Sequence, residues 1–271
     1  MNILLTGSHG YVGKNLRHYC RFYDDIKFVC VDKKNGVNCL SLTVDDFKDI
    51  DCVIHLAANI NIQQLETNSS LAIENFEMTR HICDLMHEIE LQDNRTIQMI
   101  FSSSCQALLR KNIYGLTKFA EEKMIKDSCR YYSVLRFYNV VGTCCSIDDS
   151  ENDHLLPNIF NSMIKGVPFK IYGDSSQQRS YVHIHRICRA IVKEIQRNCC
   201  DTKEIVTKDV LSISDIISLV SSVVKKQVKT EVVASRIGDY CNIIIPENAV
   251  VLPTGDMKCA IEDYALHYKL L

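Results

Sequence analysis

The chain opens on a short apolar run, Ile3, Leu4 and Leu5, stopped by Thr6 and Gly7. Gly7, Gly10 and Gly13 then recur at three-residue spacing and lead into a segment from Lys14 to Cys20 that reads as a helix. An apolar run of that length fits a buried parallel strand. A strand, a tight glycine turn and a helix N-terminus make a cradle for an anionic pyrophosphate. Glycines let the backbone approach the phosphates, and unpaired N–H groups with the helix dipole favour negative charge. Tyr11 and Val12 fall inside the turn and join the three glycines as candidate dinucleotide contacts. The next predicted strand, Phe28 to Val31, ends in Asp32, an acid placed to accept hydrogen bonds from the adenine ribose. Lys33 and Lys34 follow. A lysine there could meet a 2′-phosphate, whereas Asp32 repels one. NAD is therefore the expected cofactor, with NADP left open.

Bulk properties exclude several classes of function. At 271 residues the chain can bury one large domain, or a domain and a lobe. Its formal net charge of −2 provides no basic field for nucleic acid and no polybasic membrane patch. No apolar stretch approaches the roughly 20 residues needed to cross a bilayer. The N-terminus lacks the basic segment of a secretory leader, so a cytoplasmic location is expected. Fourteen cysteines occur, but without metal-ligand spacing: Cys144–Cys145 and Cys199–Cys200 are adjacent pairs and no C-x-x-C is present. They read as reduced thiols used as small hydrophobes, and no metal is expected.

Residues 52–58, Cys-Val-Ile-His-Leu-Ala-Ala, read as an apolar strand whose last residues, Leu56, Ala57 and Ala58, leave room for a cofactor against the strand end. His55, inside the apolar run, reads as a structural core histidine. Residues 71–89 carry apolar side chains at helical spacing, and residues 97–101 form another strand, running into Ser102, Ser103 and Ser104.

Tyr114 and Lys118 form a Tyr-x-x-x-Lys pair ten residues after that serine-ended strand. On a helix, positions i and i+4 share a face, so an ammonium can stand near the phenol. A phenol of ordinary pKa, about 10, is a poor base at neutral pH. Lys118 is expected to lower it, and can also hydrogen-bond a nicotinamide ribose. Ser104 is placed to hydrogen-bond the same substrate oxygen as Tyr114. The three make a set for moving a proton while hydride passes to or from a nicotinamide.

The G-x-x-G-x-x-G turn, the Val-Ile-His-Leu-Ala-Ala strand and Phe-Ser-Ser-Ser…Tyr-Gly-x-x-Lys together resemble the extended short-chain dehydrogenase/reductases, in particular the nucleotide-sugar epimerases and dehydratases. The resemblance runs from Met1 to about Asp239. It implies that Asn75 lies beneath the cofactor, that Phe137 faces the nicotinamide, and that Asn139 meets a substrate diphosphate. His154 and Leu155 match a segment lining the nucleotide, and Tyr172 a residue stacking on uracil. Arg179 and Tyr181 sit in a sequence similar to Arg-Asp-Tyr-Val-His, and Arg236 and Asp239 in one similar to Arg-Pro-Gly-Asp, with both arginines on the phosphates. Forked guanidinium donors suit such oxygens.

The chain also departs from the pattern. Ser104 is followed by Cys105-Gln106 rather than the Asp-Glu of several dehydratases. A lysine that holds NAD in the epimerases is replaced by Ile60 or Asn59. The resemblance implies hydride chemistry at carbon 4 of a nucleotide-linked sugar, first as a UDP-sugar 4-epimerase. The alternative is an NAD(P)H-dependent 4-ketoreductase of a UDP-4-keto-6-deoxy-sugar, and a more distant one is a non-catalytic dinucleotide sensor. The expected architecture is α/β: a doubly wound parallel (Rossmann) sheet over residues 1–139, with chain returns near 180–207, and a smaller substrate-binding lobe over residues 140–271. Relatives usually dimerise through two helices per subunit, here residues 71–89 and 114–127, so a homodimer is expected.

Overall fold

The computed structural model describes residues 1–145, 154–238, 245–247, 249 and 251–271. In chain order the elements are β1 (Asn2–Thr6), α1 (Tyr11–Tyr19), β2 (Lys27–Val31), β3 (Cys52–His55), α2 (Ile62–Thr67), α3 (Ser70–Asp93), β4 (Gln98–Ser104), α4 (Gln106–Leu109), α5 (Ile113–Ser128) and β5 (Tyr132–Phe137). There follow β6 (Asn139–Val141), α6 (Leu155–Lys165), β7 (Phe169–Tyr172), β8 (Gln178–His183), α7 (Ile184–Glu194), β9 (Cys200–Thr207), β10 (Val210–Ser212), α8 (Ile213–Val224), β11 (Thr230–Val233), β12 (Val251–Leu252) and α9 (Asp256–His267).

The chain divides into two compact units. The first comprises Met1–Phe137 and Cys188–Glu204, the second Tyr138–Ile187 and Ile205–Leu271. The first holds a Rossmann-like sheet in the order β9-β5-β4-β3-β1-β2. The pairs β1–β2, β1–β3, β3–β4 and β4–β5 are all parallel. The order reverses at β1: the chain moves outward to β2, then returns to place β3 on the other side. In open parallel sheets ligands bind at such a switch point, beyond the carboxyl ends of the strands. Ile3, Leu4 and Leu5 are fully buried, as are Val53 and Ile54 on β3. Leu4, Phe47, Val53, Ile82, Phe101 and Val134 belong to one core, which packs α3 and α5 onto the sheet. Helix α5 begins where a side chain satisfies one of its first N–H groups: the Asn112 side-chain oxygen accepts from the N–H of Gly115 at 2.7 Å.

The second unit contains a three-stranded sheet, β10-β8-β6, and the parallel pair β11–β7. Its core gathers Leu156, Phe160, Ile216, Val220, Ile261 and Tyr264. A capping box formed by Ser212 and Asp215 starts α8.

Two local expectations change. Helix α1 begins at Tyr11, so Val12 and Gly13 lie within its first turn; the glycine spacing marks the close approach of the chain rather than the helix boundary. Strand β3 ends at His55, and Leu56 to Ala58 continue as irregular chain. Residues 135–142 hold two strands broken at Tyr138, with β5 in the first unit and β6 in the second. Among the described residues no helix is long and apolar enough to cross a membrane, and no group of His, Cys, Asp and Glu has metal-binding geometry. The described cysteines stand as thiols rather than disulfides.

Candidate active site

The glycine turn is built against the end of β3. Gly7 has φ +66°, and a Cβ there would stand 2.7 Å from the Ala57 nitrogen. A Cβ on Gly13 would stand 2.2 Å from the Gly7 carbonyl oxygen. Neither position accepts a side chain, so α1 begins directly over the turn with Tyr11 and Val12 beside it. Gly10 closes the turn: its N–H donates to the Gly7 carbonyl at 3.1 Å, and its own carbonyl accepts from Lys14 at 3.0 Å.

Asp32 follows β2 and is held by two backbone donors, His9 N–H and Lys34 N–H, each 2.9 Å from a carboxylate oxygen. Its carboxylate is thereby fixed beside the turn. Lys33 ion-pairs with Glu74, which also accepts from the Asn59 amide at 3.0 Å. That ion pair directs Lys33 toward α3. Asn75 clamps the chain beyond Leu56, Ala57 and Ala58: its oxygen accepts from Asn59 N–H at 2.7 Å and its amide donates to the Asn59 carbonyl at 2.9 Å.

Ser104 ends β4 in register with Phe137 at the end of β5, and its hydroxyl accepts from Gln106 N–H at 3.2 Å. Tyr114 lies in the first turn of α5, and Ser104 is its hydrogen-bonding neighbour. Lys118 sits one turn further on and is buried, its Nζ 4.4 Å from the centre of the Phe101 ring. The phenol differs from expectation. Burial, then the carboxylate of Glu121, push its pKa above the ordinary value, and Ser104 opposes them only in part. Lys118 does not lower it, because its ammonium is engaged with Glu121 at 3.2 Å. The phenol is thus held protonated.

His55 is a core residue, as expected. Its Nδ1 lies 2.6 Å from Thr6 Oγ1 and its Nε2 lies 3.0 Å from Thr79 Oγ1. Burial, aided by the charge of Lys118, lowers its pKa to about 3, so the ring is neutral.

Several buried charged side chains near these residues had no sequence signal. Residues 114, 118, 121 and 122 fall on one helix face. Glu121 and Glu122 are both buried there, whereas an acidic pair on a helix ordinarily reads as a solvated edge. Glu122 accepts from Arg136 at 2.7 and 2.6 Å and from the Ser103 hydroxyl at 2.5 Å. Arg136 also reaches Glu204 at 2.9 Å.

In the second unit, Arg236 lies over the Tyr172 ring, 3.7 Å from its centre. These two candidates, on separate segments, form a cation–π pair that presents an aromatic and a guanidinium together. Arg179 lies on β8 and donates to the Gln178 carbonyl at 3.0 Å. The Asn139 amide donates to the Ser180 carbonyl at 3.3 Å. Tyr181, opposite Asn139 in the register, is buried in the core of this unit. His154 precedes α6 at its N-cap position, without a side-chain capping bond, and Leu155 begins the helix. Asp239 lies outside the described residues.

Comparison with known proteins bears on the family and the fold. The profile of the NAD dependent epimerase/dehydratase family matches residues 3–206. A UDP-2-acetamido-2,6-beta-L-arabino-hexul-4-ose reductase of Pseudomonas aeruginosa is 26% identical over 198 residues, covering 71% of this chain and 49% of that protein. The match therefore spans about half the length of that relative. A putative UDP-glucose 4-epimerase of Methanocaldococcus jannaschii is 26% identical over 225 residues, 69% of this chain and 71% of that protein. Among solved structures, a UDP-glucuronic acid 4-epimerase from Bacillus cereus in complex with UDP-glucuronic acid and NAD superposes with a TM-score of 0.84 at 20% identity, covering 99% of each chain. MoeE5 in complex with UDP-glucose and NAD gives 0.83 at 21%, covering 98% of this chain and 99% of that one. At these identities the structural likeness speaks for the fold.

Proposed function

The chain belongs to the NAD-dependent epimerase/dehydratase family, and on that premise we propose that it is a UDP-sugar 4-epimerase working by hydride transfer at carbon 4. The observation that carries the reading is Tyr114 beside Ser104, with Lys118 one turn away, at the carboxyl end of β4 in a sheet that opens on the glycine cradle.

The residues present fit a dinucleotide. The Gly7–Gly13 turn has room only for backbone, as a pyrophosphate site requires. Asp32 is fixed for the adenine ribose. Lys118 Nζ is buried without a hydrogen-bond acceptor, and ribose hydroxyls would supply one. NAD, when bound, supplies the acceptor and donor of hydride. Tyr114 takes the proton from the sugar 4-hydroxyl and returns it to the same oxygen, while Ser104 hydrogen-bonds that oxygen. Lys118 favours the phenolate once its ammonium faces the phenol. Arg179, Arg236, Tyr172 and Asn139 are assigned to the nucleoside diphosphate.

Two observations favour a second reading, reduction of a 4-keto sugar. Ile60 or Asn59, at the place of the NAD-holding lysine of the epimerases, offers no charge, and Ile60 is exposed. The phenol is held protonated, which is the state a ketone reduction needs at its start. The purified protein, supplied with UDP-glucose or UDP-N-acetylglucosamine and no added cofactor, should yield the 4-epimer. If no epimer forms while NAD(P)H is consumed with a UDP-4-keto-6-deoxy-sugar, the enzyme is a reductase. Turnover of neither overturns both readings.

A further inference from the structure

We propose that Glu121 is the dedicated counter-ion of Lys118: it holds a buried ammonium charged while leaving the ammonium's donors for the ribose of the dinucleotide. The inference rests on the reading above that the dinucleotide binds beside Lys118.

Both side chains are sealed from solvent, Lys118 at 1% exposure and Glu121 at 0%. Nζ and Oε2 stand 3.2 Å apart, yet neither atom has a hydrogen-bond partner. The contact therefore balances charge without spending the directed N–H groups. The other oxygen, Oε1, is the anchor and accepts from Thr79 Oγ1 at 2.7 Å. Thr79 in turn accepts from His55 Nε2 at 3.0 Å. The far side of the ring fixes that assignment. Thr6 Oγ1 accepts from Leu56 and Ala57 N–H, both at 3.2 Å, so its own proton goes to His55 Nδ1. One chain of bonds thus runs from the strand end assigned to the cofactor, through β1, β3 and α3, to the carboxylate beside Lys118.

The neighbouring acid shows what a purely structural role looks like. Glu122 is filled by the fork of Arg136 and by Ser103. Glu121 has one oxygen tethered and one aimed at an ammonium that makes no hydrogen bond. The charged and titratable groups facing this pair are few. Tyr114 shares its helix, Cys105 follows β4, His55 comes from β3 and Cys83 from α3. His55 is neutral above about pH 3, and the hydrogen bond with Cys129, then burial, hold the Cys83 thiol protonated, so neither group supplies a second anion in place of Glu121. A lone buried ammonium sheds its proton, because desolvation disfavours the charged form.

The test is NAD affinity against pH, measured by calorimetry on the whole chain. In the unaltered protein the affinity should be level between about pH 7 and pH 9. In Glu121→Gln, which keeps an acceptor for Thr79, it should match near pH 7 or below, then fall by about tenfold per pH unit once Lys118 loses its proton. A Gln variant whose affinity does not depend on pH, whether equal to the parent or uniformly weaker, overturns the proposal. If Glu121→Gln does not fold, the double variant Lys118→Met, Glu121→Gln should, since removing both charges removes the uncompensated one. Failure of the double variant overturns the counter-ion role. If the unaltered protein binds no NAD, the functional reading fails instead, and stability of the single and double variants still decides the role of Glu121.

Discussion

Acidification from about pH 7.5 to about pH 5 should weaken the first unit by roughly 2 kcal/mol through His55 alone. The ring is fully buried between Thr6 and Thr79. Its pKa falls from the ordinary 6.5 to about 3. Between those values the unfolded chain binds a proton that the native ring refuses, so stability is complete above about pH 6.5 and drains as pH falls toward 3. At about 1.4 kcal/mol per pH unit, the window to pH 5 costs about 2 kcal/mol and the whole window about 5. The assay is urea unfolding of the unaltered protein and of His55→Gln at both pH values. Glutamine retains a donor and an acceptor but no titration. The variant should be less stable near neutrality and should lose about 2 kcal/mol less on acidification. Equal losses in the two proteins would refute the reasoning. So would a native-state His55 ring resonance that titrates near its ordinary pKa.

Tyr114→Phe should leave NAD affinity unchanged and lower turnover by about 10²-fold or more, the scale of a lost acid–base group; retained turnover removes the phenol from the mechanism. Gly13→Ala places a methyl 2.2 Å from the Gly7 carbonyl and should open the turn; NAD affinity measured by calorimetry should drop by about tenfold or more, the order of one lost charge-assisted contact. Arg136→Met leaves Glu122 buried and uncompensated, and should cost about 3–5 kcal/mol, read as a lowered urea midpoint. Asp32→Ser removes the carboxylate that repels a 2′-phosphate and should raise kcat/KM for the NADP couple relative to the NAD couple; an unchanged ratio would assign cofactor choice elsewhere.

What the sequence disclosed was local. The glycine turn, the strand that follows it, the Tyr114–Lys118 spacing and the periodicity of residues 71–89 are each patterns of residues close in sequence, where sterics and helix geometry act directly. The break between β5 and β6 at Tyr138 has no marker in the sequence, because a strand that ends and one that continues share the same composition. The protonated phenol was also hidden. Charge spacing on α5 suggested that Lys118 would act on Tyr114, but which neighbour wins depends on burial, and Glu121 is fully buried. Gln98, whose amide donates to the Glu194 carbonyl at 2.7 Å across 96 positions, has no local signature at all.

That last pairing bears on how the protein is made. The first unit needs Cys188–Glu204 to be complete. While a ribosome is still synthesising Tyr138–Ile187, the β5 edge that β9 will cover stands open, and Gln98 still lacks Glu194 and Gln196. Arg136 meanwhile has only one of its two carboxylates. An unpaired edge strand on a nascent chain is a template for pairing with another chain. The vulnerable interval in the life of this chain is therefore its translation, and the β5 edge is covered once Cys200–Thr207 clears the exit tunnel.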